Sequence, residues 1–181
     1  MGHLALILVA LALLASCRTL SPEPRATTET LKLEVGLDLA CEAAIRVLGE
    51  RGYALQVVDR VAGIVETDWL TTNPEYAASI FVTEHQDRYS ECGKPGLGRA
   101  FRAKQTRLKV RLSPGSRDET DLRIDAGFRT QGYSHFLFFW GMQPLGESPC
   151  RSRGRLEEEL ALQMKLRTLG EQLQRLRRGT P

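Results

Sequence analysis

The residues of this chain with the most chemistry to offer are its four cysteines. Cys92, in the stretch YSECGKPG, and Cys150, in GESPCRSRG, both stand in Gly/Pro/Ser-rich loop sequence where backbones are free to approach, and they are expected to pair as a disulfide. In the chain-entropy picture, closing a loop of about 58 residues is worth on the order of 4 kcal/mol where the compartment is oxidising. Cys41 falls among apolar residues at helical spacing and reads as a small buried hydrophobe. Nothing favours a metal: there is no CxxC, and His85 and His135 have no ligand-like spacing to either cysteine. No cofactor is implied. Catalytic constellations are missing as well, since the chain has no GxSxG, no HExxH and no phosphate-cradling glycine loop. Asp68 beside Trp69, or Glu84 beside His85, could be drawn as acid and base, but adjacent residues on a strand point to opposite faces. No residue is assigned a catalytic role, and the chain is not expected to be an enzyme.

Cys17 has a different setting. It follows an unbroken apolar run, Leu4 to Leu14, and the small residues Ala15 and Ser16. The run is short of the about 20 residues that span a bilayer, but fits the h-region of a secretory signal. Leu14-Ala15-Ser16-Cys17 resembles the lipobox of bacterial lipoproteins. That resemblance implies cleavage before Cys17, a thioether-linked diacylglycerol on its sulfur and a further acyl chain, palmitate-like, on the new N-terminus. Residues 1–16 are then a removed signal peptide. The lipobox position favours this over an ordinary secretory signal with an incidental cysteine, or an uncleaved anchor. Met1-Gly2-His3 carries no Lys or Arg, so either the terminal amine and His3 supply the positive charge or the true start lies upstream. Two or three acyl chains hold a protein stably on a membrane at about 0.8 kcal/mol per buried methylene. Arg18 stands where an Asp would favour inner-membrane retention. The expected location is the outer membrane, lipid-anchored and facing the periplasm, an oxidising compartment that suits the Cys92–Cys150 pair.

About 165 residues remain after that cut, enough for one domain with a core plus a tether. Net charge is only +3 and the charges are mixed along the chain, which does not suggest nucleic-acid binding. Residues 17–30 are rich in Pro, Thr and Glu and read as a lipidated tether, reaching roughly 40 Å if extended. Residues 31–181 read as the folded domain.

The elements that must position these groups follow from periodicity. Leu31 to Val35 alternates as a half-buried strand. A helix begins near Asp38, with Leu37, Ala40, Cys41, Ala44, Ile45 and Leu48 on one face, and Gly52 stops it. Tyr53 to Val58 and Gly63 to Leu70 form a hairpin. Residues 71–104, broken at Asn73-Pro74, read as a long loop with one short strand at most, at Ser79 to Thr83. Thr106 to Leu112 and Thr120 to Phe128 alternate around Ser113-Pro114-Gly115-Ser116 as a second hairpin, with Arg and Lys set against Asp on a solvated outer face. His135 to Met142 is the most hydrophobic part after the signal, either a buried strand or plug, or an exposed tip that touches lipid or a partner.

From Leu156 to Arg178 the pattern is helical with two apolar faces. On a helical wheel Leu156, Leu160 and Met164 fall on one side, whereas Leu162, Leu166, Leu169, Leu173 and Leu176 fall on the nearly opposite side. One helix on one sheet needs a single stripe. The second stripe implies a partner, a self-associating helix, or a loop of the same domain.

The sum is an α+β fold in two layers, a mostly antiparallel sheet packed against a long C-terminal helix and a shorter N-terminal helix. Across Ala44 to Trp69, AIRVLGERGYALQVVDRVAGIVETDW resembles the helix-grip domain of outer-membrane assembly lipoproteins of the BamC (NlpB) type: a helix ending in Leu-x-x-x-Gly, a strand, then Asp-x-x-x-Gly-Ile-x-x-Thr-x-Trp. The likeness covers about half of the domain and the motif is structural: Gly52 and Gly63 would allow turns, and Ile64 and Trp69 would face packing partners. It implies a non-catalytic interaction protein that binds an envelope protein complex, and the second apolar stripe, Leu162, Leu166, Leu169, Leu173 and Leu176, supplies the candidate contacts. The alternative is a module binding a hydrophobic small ligand or lipid in a cavity between helix and sheet.

Overall fold

The computed structural model describes residues 30–79, 88–96, 98–116, 118–135 and 142–179. Cys17, the tether up to residue 29, Glu84, His85 and the core of the apolar stretch, 136–141, lie outside the described residues.

Strand β1 (Leu31–Leu33) leads into helix α1 (Leu37–Glu50), and β2 (Leu55–Asp59) and β3 (Ile64–Thr67) pair antiparallel as the expected hairpin. Helix α1 buries Ala40, Cys41, Ala43, Ala44, Val47 and Leu48, while Leu37 and Ile45 pack at its margin. It ends as its sequence predicts. Gly52 takes φ +81° and the Tyr53 N–H donates to Leu48 O at 3.1 Å, closing the helix with a left-handed turn. Gly63 is more constrained still: at φ +65°, a Cβ there would lie 2.0 Å from the carbonyl oxygen of Leu112.

Two long strands carry the sheet, β6 (Arg99–Pro114) and β7 (Thr120–His135). Their register places Leu108 opposite Ala126, Val110 opposite Ile124 and Leu112 opposite Leu122, all buried on one face. The outer face carries the charges, where Lys109 pairs with Glu66, and Arg111 and Arg123 both approach Asp125. Lys109 holds the Glu66 carboxyl below its ordinary pKa by hydrogen bonding to it.

Among the described residues, 71–104 is not a long loop; residues 80–83 of the short strand expected at Ser79 to Thr83 lie outside them. Strand β4 (Leu70–Ser79) pairs antiparallel with β6 from Leu70↔Thr106 to Ser79↔Ala100, and a short β5 (Ser90–Glu91) follows. Asn73-Pro74 does not end the strand because, among the described residues, β4 pairs on one side only and its register shifts between Thr71 and Asn73 and between Asn73 and Ala77. A strand with a free edge tolerates a residue that cannot donate, and bulges absorb the mismatch. A second correction concerns Cys150, which lies not in a loop but in β8 (Met142–Ser152), paired with the second half of β7. Pro144, Gly146 and Pro149 make β8 look like a turn-rich loop, yet β7 supplies its ladder, with a shift between Gly132 and Tyr133.

Every strand pairing among the described residues is antiparallel. The order is β2-β3-β6-β7-β8-β5, with β4 continuing β3's side of β6, and β1 continuing β8's side of β7. Helix α2 (Arg155–Arg177) closes the layer beside α1. Leu156, Leu160 and Met164 enter the same core as Leu48, Val65, Leu108, Leu122 and Phe128. The fold is thus α+β, a mostly antiparallel sheet under two helices, as periodicity implied.

Candidate partner-docking face

Helix α2 is fixed at its start by side chains. Ser152, at the end of β8, accepts from the Gly154 N–H at 3.1 Å and donates to the Glu157 carboxylate at 2.6 Å, all buried. A carboxylate in the first helical turn also complements the helix dipole. Further along, α2 is tied to its surroundings by polar contacts. Glu159 accepts from Arg88 and from the Tyr89 hydroxyl at 2.9 Å, and lies 3.9 Å from Arg51. Burial, and then the hydrogen bond to Glu159, raise the Tyr89 phenol above its ordinary pKa. Arg167 pairs with Glu50, Arg46 lies 3.6 Å from Glu171, and Gln172 donates to the Glu34 carbonyl at 2.6 Å. These contacts, with Leu156, Leu160, Met164 and Thr168 buried, fix which way the helix faces.

The other stripe therefore points to solvent. Leu162, Leu166, Leu173 and Leu176 are 57 to 77% exposed and Leu169 38%. Two concavities flank this crest. One is an open groove of about 740 Å³ between the helices, with Arg46, Glu50, Arg51, Arg167 and Glu171 on its walls and Leu166 on its rim. The other is a narrower, more apolar cleft of about 310 Å³ on the opposite flank, where Leu162 and Ala161 face Leu31, Leu122 and Ile124. The space directly beneath α2 is filled by its own buried side chains. All five leucines singled out by spacing thus lie together on one exposed surface, and the loop of the same domain that could have covered them does not do so among the described residues.

The remaining residues singled out from the sequence fall elsewhere. Cys92 and Cys150 are joined by a disulfide, bridging the segment after β5 to β8. Cys41 is a free, buried thiol whose pKa is raised by desolvation. Asp68 accepts from the Trp69 N–H at 2.7 Å, a local turn contact. Trp69 is not a core residue: its ring lies on the outer face over Gly127, with the Arg129 guanidinium 4.0 Å and that of Arg107 5.2 Å from its centroid. Reading along the chain missed this stack. The signal was the register that sets Arg107 opposite Gly127, leaving room for an indole. Among the described residues, no three His, Cys, Asp or Glu side chains gather as metal ligands would, and no helix is long and apolar enough to cross a membrane. Compared with known proteins, the chain matches no family model and no curated protein.

Proposed function

We propose that this chain is a lipid-anchored envelope lipoprotein that acts without catalysis, as a protein-interaction module accessory to outer-membrane protein assembly. Acylated Cys17 attaches it to the outer membrane from the periplasmic side, and the tether lets the domain search for its partner near that surface. The observation that carries the reading is the exposed leucine crest of α2, because five leucines in line on a rigid helix are a surface that soluble domains rarely leave uncovered. The alternative, a hydrophobic ligand held between helix and sheet, is weaker because Leu156, Leu160 and Met164 occupy that space.

Co-purification from native membranes tests the reading. With Leu169→Glu and Leu173→Glu together, the partner should be lost while the melting temperature stays within about 2 °C, since exposed substitutions cost little. Retention of the partner, or a fall of about 10 °C, removes the crest from the interface or places it in the core. In the same cells, Cys17→Ser should abolish fatty-acid labelling and release the protein from the membrane fraction; a labelled or membrane-bound variant refutes the anchor.

A further inference from the structure

The spacing of the crest carries more than its exposure. Leu162, Leu166, Leu169, Leu173 and Leu176 are separated by four, three, four and three residues, the alternation that keeps a seam facing a second helix through successive heptads. A broad apolar face for a membrane or a flat protein surface would spread to neighbouring positions. Here the flanks are instead Gln163, Lys165, Gly170, Gln172 and Arg177, which are polar or small. The surface fits another α-helix lying nearly along it. Together the five exposures amount to roughly 500 Å² of leucine surface, and two such faces give on the order of 1,000 Å², the lower bound for a specific interface.

Charge decides the orientation. Arg175, Arg177 and Arg178 cluster at the C-terminal end, whereas the first turn mixes the exposed Glu158 with the exposed Arg155. Two copies side by side and parallel would bring six arginines to one end. Antiparallel, the two arginine clusters part to opposite ends, Arg177 comes near the exposed Glu158 of the other helix, and the helix dipoles oppose. In that order Leu162 meets Leu173 of the partner subunit, and Leu166 meets Leu169 of the partner subunit. The apolar cleft beside Leu162 is continuous with this seam and would receive the projecting C-terminal turns of the second helix.

We propose that the occupant of the crest is the α2 helix of a second copy, in a two-fold antiparallel pair. This rests on the docking-face reading above and names its partner. With the two-fold axis along the membrane normal, both tethers leave on the same side, so common anchoring raises the effective concentration of one copy for the other.

The experiment uses the full chain with its disulfide intact, in excess mild detergent, followed by sedimentation velocity between about 1 and 100 μM. Wild type should move from monomer to dimer over this range. Leu169→Glu with Leu173→Glu should raise the dissociation constant by at least about 100-fold, and it also reports chance sharing of a micelle. Differently tagged full chains bearing Leu162→Cys and Leu173→Cys should cross-link to each other under oxidation and neither to itself. Cross-linking of Leu173→Cys to itself overturns the antiparallel order. A wild type that stays monomeric overturns self-pairing; if that monomer still holds an envelope protein through the crest, the docking-face reading stands and only this inference falls. Leucine-dependent binding of a monomer to anionic vesicles overturns it in favour of a lipid surface.

Discussion

Truncating one leucine on each side of α2 separates its two faces energetically. Leu160 is fully buried, whereas Leu173 is exposed. Leu160→Ala removes three carbons from a filled core, about 2.5 kcal/mol at about 0.8 kcal/mol each, and leaves a cavity that adds about 1 kcal/mol more. The expected cost of about 3 to 4 kcal/mol corresponds to a drop of about 10 °C in melting temperature for a domain of this size. Leu173→Ala leaves no cavity and replaces one strong helix former by another, so its effect should stay within about 0.5 kcal/mol. Urea unfolding at about 1 μM, with the disulfide intact, measures both with self-association minimised. The midpoint should fall for Leu160→Ala at constant slope and remain in place for Leu173→Ala. Equal costs, or a larger cost at Leu173, would refute the orientation of α2 and with it the docking face.

Further outcomes follow from the same packing. Replacing Cys92 and Cys150 together by alanine should cost about 4 kcal/mol, measured by urea unfolding against wild type under non-reducing conditions, because the bridge closes a segment of sequence separation 58. Gly63→Ala should destabilise by more than about 2 kcal/mol, since its Cβ would strike the Leu112 carbonyl at a positive φ, whereas Gly170→Ala, with open space and helical backbone, should stabilise by up to about 1 kcal/mol. Thermal melts of the two variants should move in opposite directions. Burial pushes the Tyr53 phenol up from 10.0 to about 12, against smaller lowering effects from Arg51 and its hydrogen bond with Thr106. A folded-state pKa above the unfolded one means the contribution is fully present below about pH 10 and lost as pH rises through 12. Tyr53→Phe should remove up to about 2 kcal/mol of the alkaline loss, read as a flatter unfolding free energy between about pH 10 and 12.

What the sequence alone determined is what periodicity carries locally. The apolar face of α1, its stop at Gly52, the β2–β3 hairpin and the alternation of Leu108, Val110 and Leu112 against Leu122, Ile124 and Ala126 are all short-range patterns, and the structure keeps them. Pairing Cys92 with Cys150 also needed only the composition around each, although Cys150 lies in a strand. The tertiary structure decided the rest, because strand pairing is non-local. Leu70 to Ser79 and Met142 to Ser152 contain Asn-Pro, Gly and Pro, which weigh against a strand until long neighbours in β6 and β7 supply the ladder and a free edge tolerates the breaks. Trp69 found its place against the Arg107 and Arg129 guanidiniums only once Gly127 was brought beneath it. The two leucine stripes of α2 were both legible from spacing, but a wheel does not distinguish inside from outside. Ser152, Glu157 and the ties to Arg51, Glu50 and Arg46 made that choice, burying Leu160 and leaving the leucines from Leu162 to Leu176 exposed.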